Sequence, residues 1–211
     1  RSYGWWAGDV VNEKCDQRGV FHIRPNARGL LWNYLPEVVA SLQKQYEHLQ
    51  DLVTDPDHYV KELTSLNLTP QNIKNVPISC YLVTSLGGGT GSACFLDIAH
   101  ILYLITAQPS QALFYLPDPD FKECAEMTSL CAWAGLGDLK MAREDSLADR
   151  DLPKHVLLEW KKHLEFQSIT FLSPSQGDKP FSDLNILAKL GALTLETMSQ
   201  TPLQLPSQLT L

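Results

Sequence analysis

The chain has 211 residues, 44% of them hydrophobic, which is enough apolar material to bury one sizeable core and too much for a chain that is disordered throughout. The formal net charge of −7 gives the long-range electrostatic field the wrong sign for broad binding to nucleic acid or to an anionic membrane surface. A phosphate-bearing ligand would therefore need donors that lie close to it.

The cysteine pattern and the apolar runs predict a cytoplasmic protein without membrane insertion. The five cysteines form no CxxC pair, so reduced and buried thiols are the simplest interpretation. The longest apolar run, residues 93–107, contains Asp97 and His100 and falls short of the roughly 18 charge-free residues of a membrane span. No group of His, Cys, Asp and Glu has the spacing of a metal site.

The N-terminal part of the chain is predicted to contain one long amphipathic helix. Residues 1–20 show no clear period and are expected to form an irregular segment. From Arg28 onwards apolar residues recur at helical spacing, and Pro36 is expected to kink this helix or to begin its main part. Residues 54–77 contain three prolines and are predicted to be a loop with one helical turn near residues 59–63.

A strand, a glycine-rich loop and a helix are predicted between residues 78 and 104. The run Ile78–Thr84 is short, β-branched and aromatic, and it is followed by glycines, so a buried strand is favoured over a helix. The apolar segment after Ser92 is too long for a typical strand and contains no breaker before Pro109, so a helix is favoured there. The loop between them reads Gly87, Gly88, Gly89, Thr90, Gly91 and Ser92.

The rest of the chain alternates further strands with helices. Strands are predicted at residues 111–116, 168–172 and 184–188, and helices at residues 121–143, with interruptions at Gly135 and Gly137, and from residues 151–153 onwards. Residues 173–179 are predicted to be a polar turn, and residues 201–211 a tail. The alternation predicts an α/β fold with a parallel sheet and helices on both faces, in which ligands bind at the carboxyl ends of the strands.

The glycine-rich loop carries the strongest functional signal. Glycines leave no Cβ between the backbone and a ligand, and they permit backbone angles that other residues rarely adopt. The N–H groups of the first helical turn and the positive end of the helix dipole attract an anion such as phosphate. Thr90 and Ser92 add hydroxyl donors at the same place. The alternative interpretation is a turn that only lets strand and helix pack tightly.

The sequence GGGTGS resembles the glycine-rich phosphate loop of the tubulin/FtsZ superfamily, within which the chain looks most like the bacterial tubulin-like proteins. It lacks the lysine of a P-loop and the spacing of a dinucleotide fingerprint. Residues 19–29 are similar to the family's segment near the terminal phosphate, with Arg24 and Arg28 matching and Ala27 standing where glycine is usual. Residues 114–121 resemble the strand and loop that border the ribose, and residues 180–188 resemble the strand that leads to the central helix.

The resemblance implies a Rossmann-like GTP-binding domain over residues 21–200, in which residues 87–92 hold a guanine nucleotide together with its Mg²⁺. It also implies that Arg24 and Arg28 neutralise phosphate charge through their planar forks of donors, although a solvated surface pair explains them equally well. The resemblance further implies that Asp118 faces the ribose hydroxyls. The alternative is that Asp118 is an ordinary loop residue beside a proline, without a role in binding.

Three features of the family have no counterpart in the chain, which is therefore expected to be an incomplete or degenerate domain from within a larger protein. The first strand with its glycine-rich loop is absent ahead of Arg1, and the central helix at about residues 189–200 is short. The acidic loop that completes hydrolysis on the neighbouring subunit is missing. The resemblance implies a cytoskeletal GTPase, but no catalytic residue is assigned.

Three functions are compatible with these observations. The first is a guanine-nucleotide-binding domain that associates head to tail in the full-length protein. The second is a non-catalytic structural or protein-interaction module that keeps the fold within a larger polypeptide. The third is an unrelated α/β enzyme that uses the glycine-rich loop for another phosphate-bearing ligand.

Overall fold

The computed structural model describes residues 23–65, 78–117, 125–143, 166–176, 179–180 and 184–200, and the structural statements below concern these residues. The helices are α1 (Arg24–Asn33), α2 (Leu35–Thr54), α3 (Pro56–Ser65), α4 (Gly89–Thr106), α5 (Ala125–Arg143) and α6 (Leu184–Gln200). The strands are β1 (Tyr81–Ser85), β2 (Gln111–Tyr115), β3 (Ser168–Leu172), β4 (Ser175–Gln176) and β5 (Lys179–Pro180). The predictions for residues 1–20, for a helix from residues 151–153 and for the tail lie outside the described residues.

The main sheet is parallel, as the alternation of elements predicts, and its strand order is β1-β2-β3. The register places Ala112 of β2 between Leu82 of β1 and Ile169 of β3. Side chains two residues apart on a strand share a face of the sheet. Ala112 and Phe114, both fully buried, therefore point to the same side.

Phe114 is the centre of the main hydrophobic core. Its ring meets Phe95 of α4 edge to face with centroids 5.1 Å apart, and it contacts Phe166 and Phe171 at 6.0 and 5.8 Å. Leu139 of α5 belongs to the same cluster. Offset and edge-to-face aromatic pairs add to the stabilisation from apolar burial. Helices α4 and α5 therefore cover the Phe114 face of the sheet.

Helix α6 contacts the side chain of Tyr115 at the end of β2, on the face opposite Phe114. Gly191 lies so close to Tyr115 that a Cβ on the glycine would fall well inside 3.0 Å of the tyrosine hydroxyl. The prediction of a strand at residues 184–188 is wrong, because these residues form the first turns of α6. A five-residue apolar run does not distinguish strand from helix, whereas the buried positions Gly191 and Met198 continue it at helical spacing.

Two prolines mark helix starts in the N-terminal part. Pro36 lies in the first turn of α2, directly after the break at Tyr34, so the prediction that it begins the main helix is confirmed. The loop prediction for residues 54–65 is wrong, because α3 begins at Pro56 and is longer than the single turn expected. Asp55 accepts a hydrogen bond from the N–H of Asp57 at 3.1 Å, which is the arrangement of an N-terminal cap followed by proline.

Helix α5 runs without interruption through its glycines, so the predicted breaks at Gly135 and Gly137 are wrong. A Cβ on Gly135 would lie 3.3 Å from the Cβ of Ser92, so this glycine lets α5 pack closely against α4. A glycine in a helix interior costs about 1 kcal/mol relative to alanine, which a helix held by packing against its neighbour tolerates.

Helix α4 is the buried helix that the sequence predicts after the glycine-rich loop. Within the described part of the chain it is the one helix long and apolar enough to cross a membrane, but 61% of that stretch is buried inside the protein. The helix ends at Thr106, before Pro109. Its burial against the sheet and α5 accounts for its apolar character without a membrane.

The polar turn predicted at residues 173–179 contains a short antiparallel pair, β4 and β5. Ser175 pairs with Pro180, and Gln176 pairs with Lys179. The hairpin directly follows β3 and precedes α6 in the chain.

Candidate functional site

The glycine-rich loop lies at the carboxyl edge of the parallel sheet. β1 ends at Ser85, and α4 begins at Gly89. Leu86, between them, is fully buried, and its N–H donates to the carbonyl oxygen of Tyr115 at 2.9 Å. Because parallel strands end at the same edge, the loop lies at the same edge of the sheet as the segments that follow β2 and β3. The loop therefore occupies the edge at which α/β sheets bind ligands.

Gly91 is required for the contact between α4 and β1. A Cβ at this position would fall well inside 3.0 Å of the Ser85 carbonyl oxygen and of Thr84 Oγ1. Its φ is not in the left-handed region, and the same holds for Gly87 and Gly88. Gly87 and Gly91 therefore serve close approach, and none of the three glycines adopts the left-handed backbone angles that the sequence also predicts for this loop.

Gly87 brings the loop together with the segment after β2. A Cβ on Gly87 would lie 3.1 Å from the Cβ of Pro117 and 3.5 Å from the Cβ of Thr128 on α5. The superfamily resemblance implies that both segments border one ligand, and in the structure Gly87 lies against Pro117. Asp118, the predicted ribose contact, follows Pro117 and lies outside the described residues.

Gly88 differs from Gly87 and Gly91 because a Cβ there would meet no atom of the described residues within 4 Å. It is the N-cap residue of α4, with extended backbone (φ −95°, ψ 152°), and the helix start has no side-chain cap. The first N–H groups of an α-helix have no acceptor within the helix. The N-terminus of α4 thus presents backbone donors beside an open face at Gly88.

The two hydroxyl residues of the loop lie in different surroundings. Ser92 is fully buried, and its Oγ donates to the carbonyl oxygen of Gly88 at 2.7 Å, as does its N–H at 3.1 Å. The Ser92 hydroxyl therefore holds the first turn of α4 closed. Thr90 is exposed at the start of the helix. Both hydroxyls are predicted donors to an anion, but the Ser92 hydroxyl already donates within the helix.

The two arginines of α1 are paired with carboxylates rather than solvated. Arg28 Nη2 donates to Asp97 Oδ1 of α4 at 2.8 Å. Arg24 Nη2 donates to the Ser92 carbonyl oxygen at 2.8 Å and also to Asp138 Oδ2 of α5. Exposed fractions of 11% and 5% for the Arg28 and Asp97 side chains show that this pair is buried.

Asp138 is a residue of this site that the sequence does not reveal, and the sequence marks Asp97 only as a charged residue within the apolar run of residues 93–107. The available signal for Asp97 was a carboxylate inside an apolar helix, since a buried charge needs a partner. Asp138 has no comparable signal, because it lies 114 residues from Arg24 in the sequence.

Burial has the largest effect on the pKa of the Asp97 carboxyl. Removal from water raises the pKa of its carboxyl from 3.8 to about 6, and the nearby Asp138 carboxylate acts in the same direction. The Arg28 guanidinium opposes this shift by attraction and by its hydrogen bond. Burial together with the Asp97 charge raises the pKa of the neighbouring Cys94 thiol to about 12.

The raised pKa of Asp97 predicts how stability depends on pH. The folded-state pKa lies above the unfolded-state value, so between about pH 4 and pH 6 the folded chain binds more protons than the unfolded chain. The stabilising contribution of the neutral carboxyl is full below this window and is lost as the pH rises through about 6. Relative to an Asp97→Asn variant, the wild type should lose free energy of unfolding across the window.

Urea unfolding of both proteins in small pH steps measures this difference. We expect the wild-type value minus the variant value to fall between about pH 4 and pH 6 and to level off above it. A difference that rises across the same window would show that attraction to Arg28 outweighs burial.

Comparison of the sequence with known protein families identifies one family to which the chain belongs. A family profile described as tubulin-like matches residues 5–182, which is more than half of the chain. No curated protein and no solved structure matches the chain significantly. The matched region contains the three-stranded parallel sheet, the glycine-rich loop, and helices α1 to α5. The chain therefore belongs to the tubulin-like family, and its α/β architecture with a parallel sheet is that of a Rossmann-like domain of the tubulin type.

Proposed function

We propose that the chain binds a guanine nucleotide, GTP in particular, with the phosphates held by the backbone of residues 87–92. The observation that carries the proposal is the open face of Gly88 at a helix start without a side-chain cap, in a chain of the tubulin-like family. Backbone N–H groups at a helix N-terminus bind an anion without a neighbouring cation. This suits a protein with a net charge of −7.

The surroundings of the loop residues support a division of roles. Gly88 and Thr90 would present N–H groups to the phosphates, because nothing in the described protein covers Gly88 and Thr90 is exposed. Gly89 is buried, and its N–H would join them as the first of the helix. Gly91 and Ser92 would hold these donors in place, because the first is packed on β1 and the second closes the turn through the Gly88 carbonyl oxygen. A preformed set of donors binds an anion at little ordering cost.

The rest of the nucleotide would extend from the loop towards the end of β2. Pro117 packs on Gly87, and Asp118, the proposed ribose contact, is the next residue. Mg²⁺ is proposed to arrive with the nucleotide, since no group of His, Cys, Asp and Glu among the described residues is arranged to hold a metal ion. Head-to-tail association of copies of the full-length protein, which the superfamily resemblance implies, belongs to the same proposal.

Titration with a fluorescent GTP analogue, followed by competition with GTP, GDP and ATP, tests the proposed function. We expect saturable binding that unlabelled GTP and GDP reverse, and weaker competition by ATP. Absence of binding at millimolar nucleotide would contradict nucleotide binding and would favour a structural or interaction module. Equal competition by ATP would contradict the preference for guanine while leaving the phosphate site intact.

A further inference from the structure

Arg24 joins three elements at the start of α4. It is the first residue of α1, and its Nη2 donates to the Ser92 carbonyl oxygen at 2.8 Å and to Asp138 Oδ2 of α5. The side chains of Arg24 and Asp138 are 21% and 28% exposed, so the pair is partly shielded from water. Charge-assisted hydrogen bonds of this kind are roughly twice as strong as neutral ones.

The same α1–α4 contact is fixed at two further places. Ala27 packs against Ala93 and Cys94 in a small buried cluster. One turn beyond Arg24, Arg28 is paired with Asp97. Helix α1 is therefore held along the first two turns of α4, the part of the helix that carries the phosphate loop.

We propose that Arg24 and Asp138 are positioning residues for the phosphate loop. They fix the first turn of α4 through the Ser92 carbonyl oxygen, and they do not contact the nucleotide themselves. Ser92 in turn holds Gly88 through two hydrogen bonds, so a displacement of Ser92 moves the donors at the loop. This inference rests on the proposed function.

A positioning role has a different signature from direct contact with the terminal phosphate, the role that the superfamily resemblance implies for Arg24. A guanidinium on the terminal phosphate would favour GTP over GDP, because only GTP carries that charge. A residue that positions the loop affects every ligand bound there by the same factor. The ratio of GDP to GTP dissociation constants therefore distinguishes the two roles.

The experiment uses the full chain with the substitutions Arg24→Gln and Asp138→Asn, singly and together, and titrates GTP and GDP. Each single substitution should weaken both nucleotides by the same factor, about tenfold, the usual effect of losing one charged hydrogen bond. The double variant should be no weaker than the weaker single variant, because both substitutions break one ion pair. Glu47→Gln, which removes an exposed carboxylate on α2, is the control and should bind as the wild type does.

Folding is checked by circular dichroism, and Asp138→Asn carries the test if Arg24→Gln does not fold. The Asp138→Asn substitution keeps a side chain of the same shape, and the position is partly exposed, so this variant should fold. Arg24→Lys retains one charged donor and should recover part of the affinity. In the nucleotide-free chain, backbone amides of Ala93 to Leu96 should exchange faster in Asp138→Asn than in the wild type.

Three results would overturn the inference. They are wild-type affinity in Asp138→Asn, a greater loss for GTP than for GDP in Arg24→Gln, and additive losses in the double variant. In each case wild-type binding of GTP stands, so only the positioning role fails. Failure of the wild type to bind either nucleotide would instead overturn the proposed function, and the positioning role with it.

Discussion

Gly88→Val is expected to abolish nucleotide binding while leaving the folded state about as stable as the wild type. Among the described residues the valine Cβ would meet no atom within 4 Å, and the extended backbone at this residue suits a β-branched side chain. Its methyl groups would occupy the space from which phosphate must approach the loop. Loss of two or more hydrogen bonds to a charged ligand predicts binding weaker by about 100-fold or more.

Gly137→Ala is the matched control for Gly88→Val. Both glycines have open space around the missing Cβ, but Gly137 lies inside α5. We expect wild-type affinity and a gain of up to about 1 kcal/mol in the free energy of unfolding, because alanine favours the helix. Fluorescent-GTP titration and urea unfolding of the three proteins measure both quantities. A folded Gly88→Val protein with wild-type affinity would show that phosphate does not approach Gly88.

Gly91→Ala is expected to destabilise the folded state by about 3 kcal/mol or more, a large part of the stability of an ordinary domain. The added Cβ would overlap the Ser85 carbonyl oxygen and Thr84 Oγ1, and the first of these is a backbone atom that cannot rotate away. Either β1 or α4 must shift. The helix preference of alanine, worth about 1 kcal/mol, acts in the opposite direction and is too small to compensate.

Urea unfolding measures the Gly91→Ala effect, with Thr90→Ala as its neighbour control. Thr90 is exposed on the same turn, so its substitution should change the free energy of unfolding by less than about 0.5 kcal/mol. Wild-type stability in Gly91→Ala would show that α4 does not pack this closely on β1. The two substitutions thus have different expected effects. Gly88→Val should lower nucleotide affinity and leave stability unchanged, whereas Gly91→Ala should lower the free energy of unfolding.

The elements that the sequence predicts well are those with strong local signals. β1 and α4 are separated by glycines and differ clearly in length and in β-branched content, so their order and type follow from the sequence. β3 has the predicted bounds, Ser168–Leu172. The parallel sheet follows from the alternation of strands and helices, which leaves little choice of topology.

The errors occur where tertiary contacts override a local signal. Residues 184–188 read as a strand when taken alone, but they form the first turns of α6, whose Gly191 lies against Tyr115. Gly135 looks like a helix breaker, yet it marks close packing of α5 on Ser92. In both cases the glycine's neighbour lies far away in the sequence, so no local window reveals it.

The candidate site likewise has one part that the local sequence predicts and one part that depends on tertiary contacts. The glycine-rich loop could be recognised from its sequence because its chemistry resides in consecutive backbone groups. The partners of Arg24 and Arg28 could not, because Asp138 and Asp97 lie 114 and 69 residues away and meet them only in the folded chain. A sequence match to a family motif identifies the type of residue at a position, whereas its contacts depend on how the helices pack.

Contact between phosphate and the loop backbone is tested most directly by the amide signals of isotope-labelled protein in nuclear magnetic resonance. On addition of GTP, the largest chemical-shift changes should fall on the backbone amides of Gly88, Gly89, Thr90 and Gly91, and GDP should move the same signals. Saturable binding that leaves these four signals in place and shifts others would contradict the proposed phosphate site.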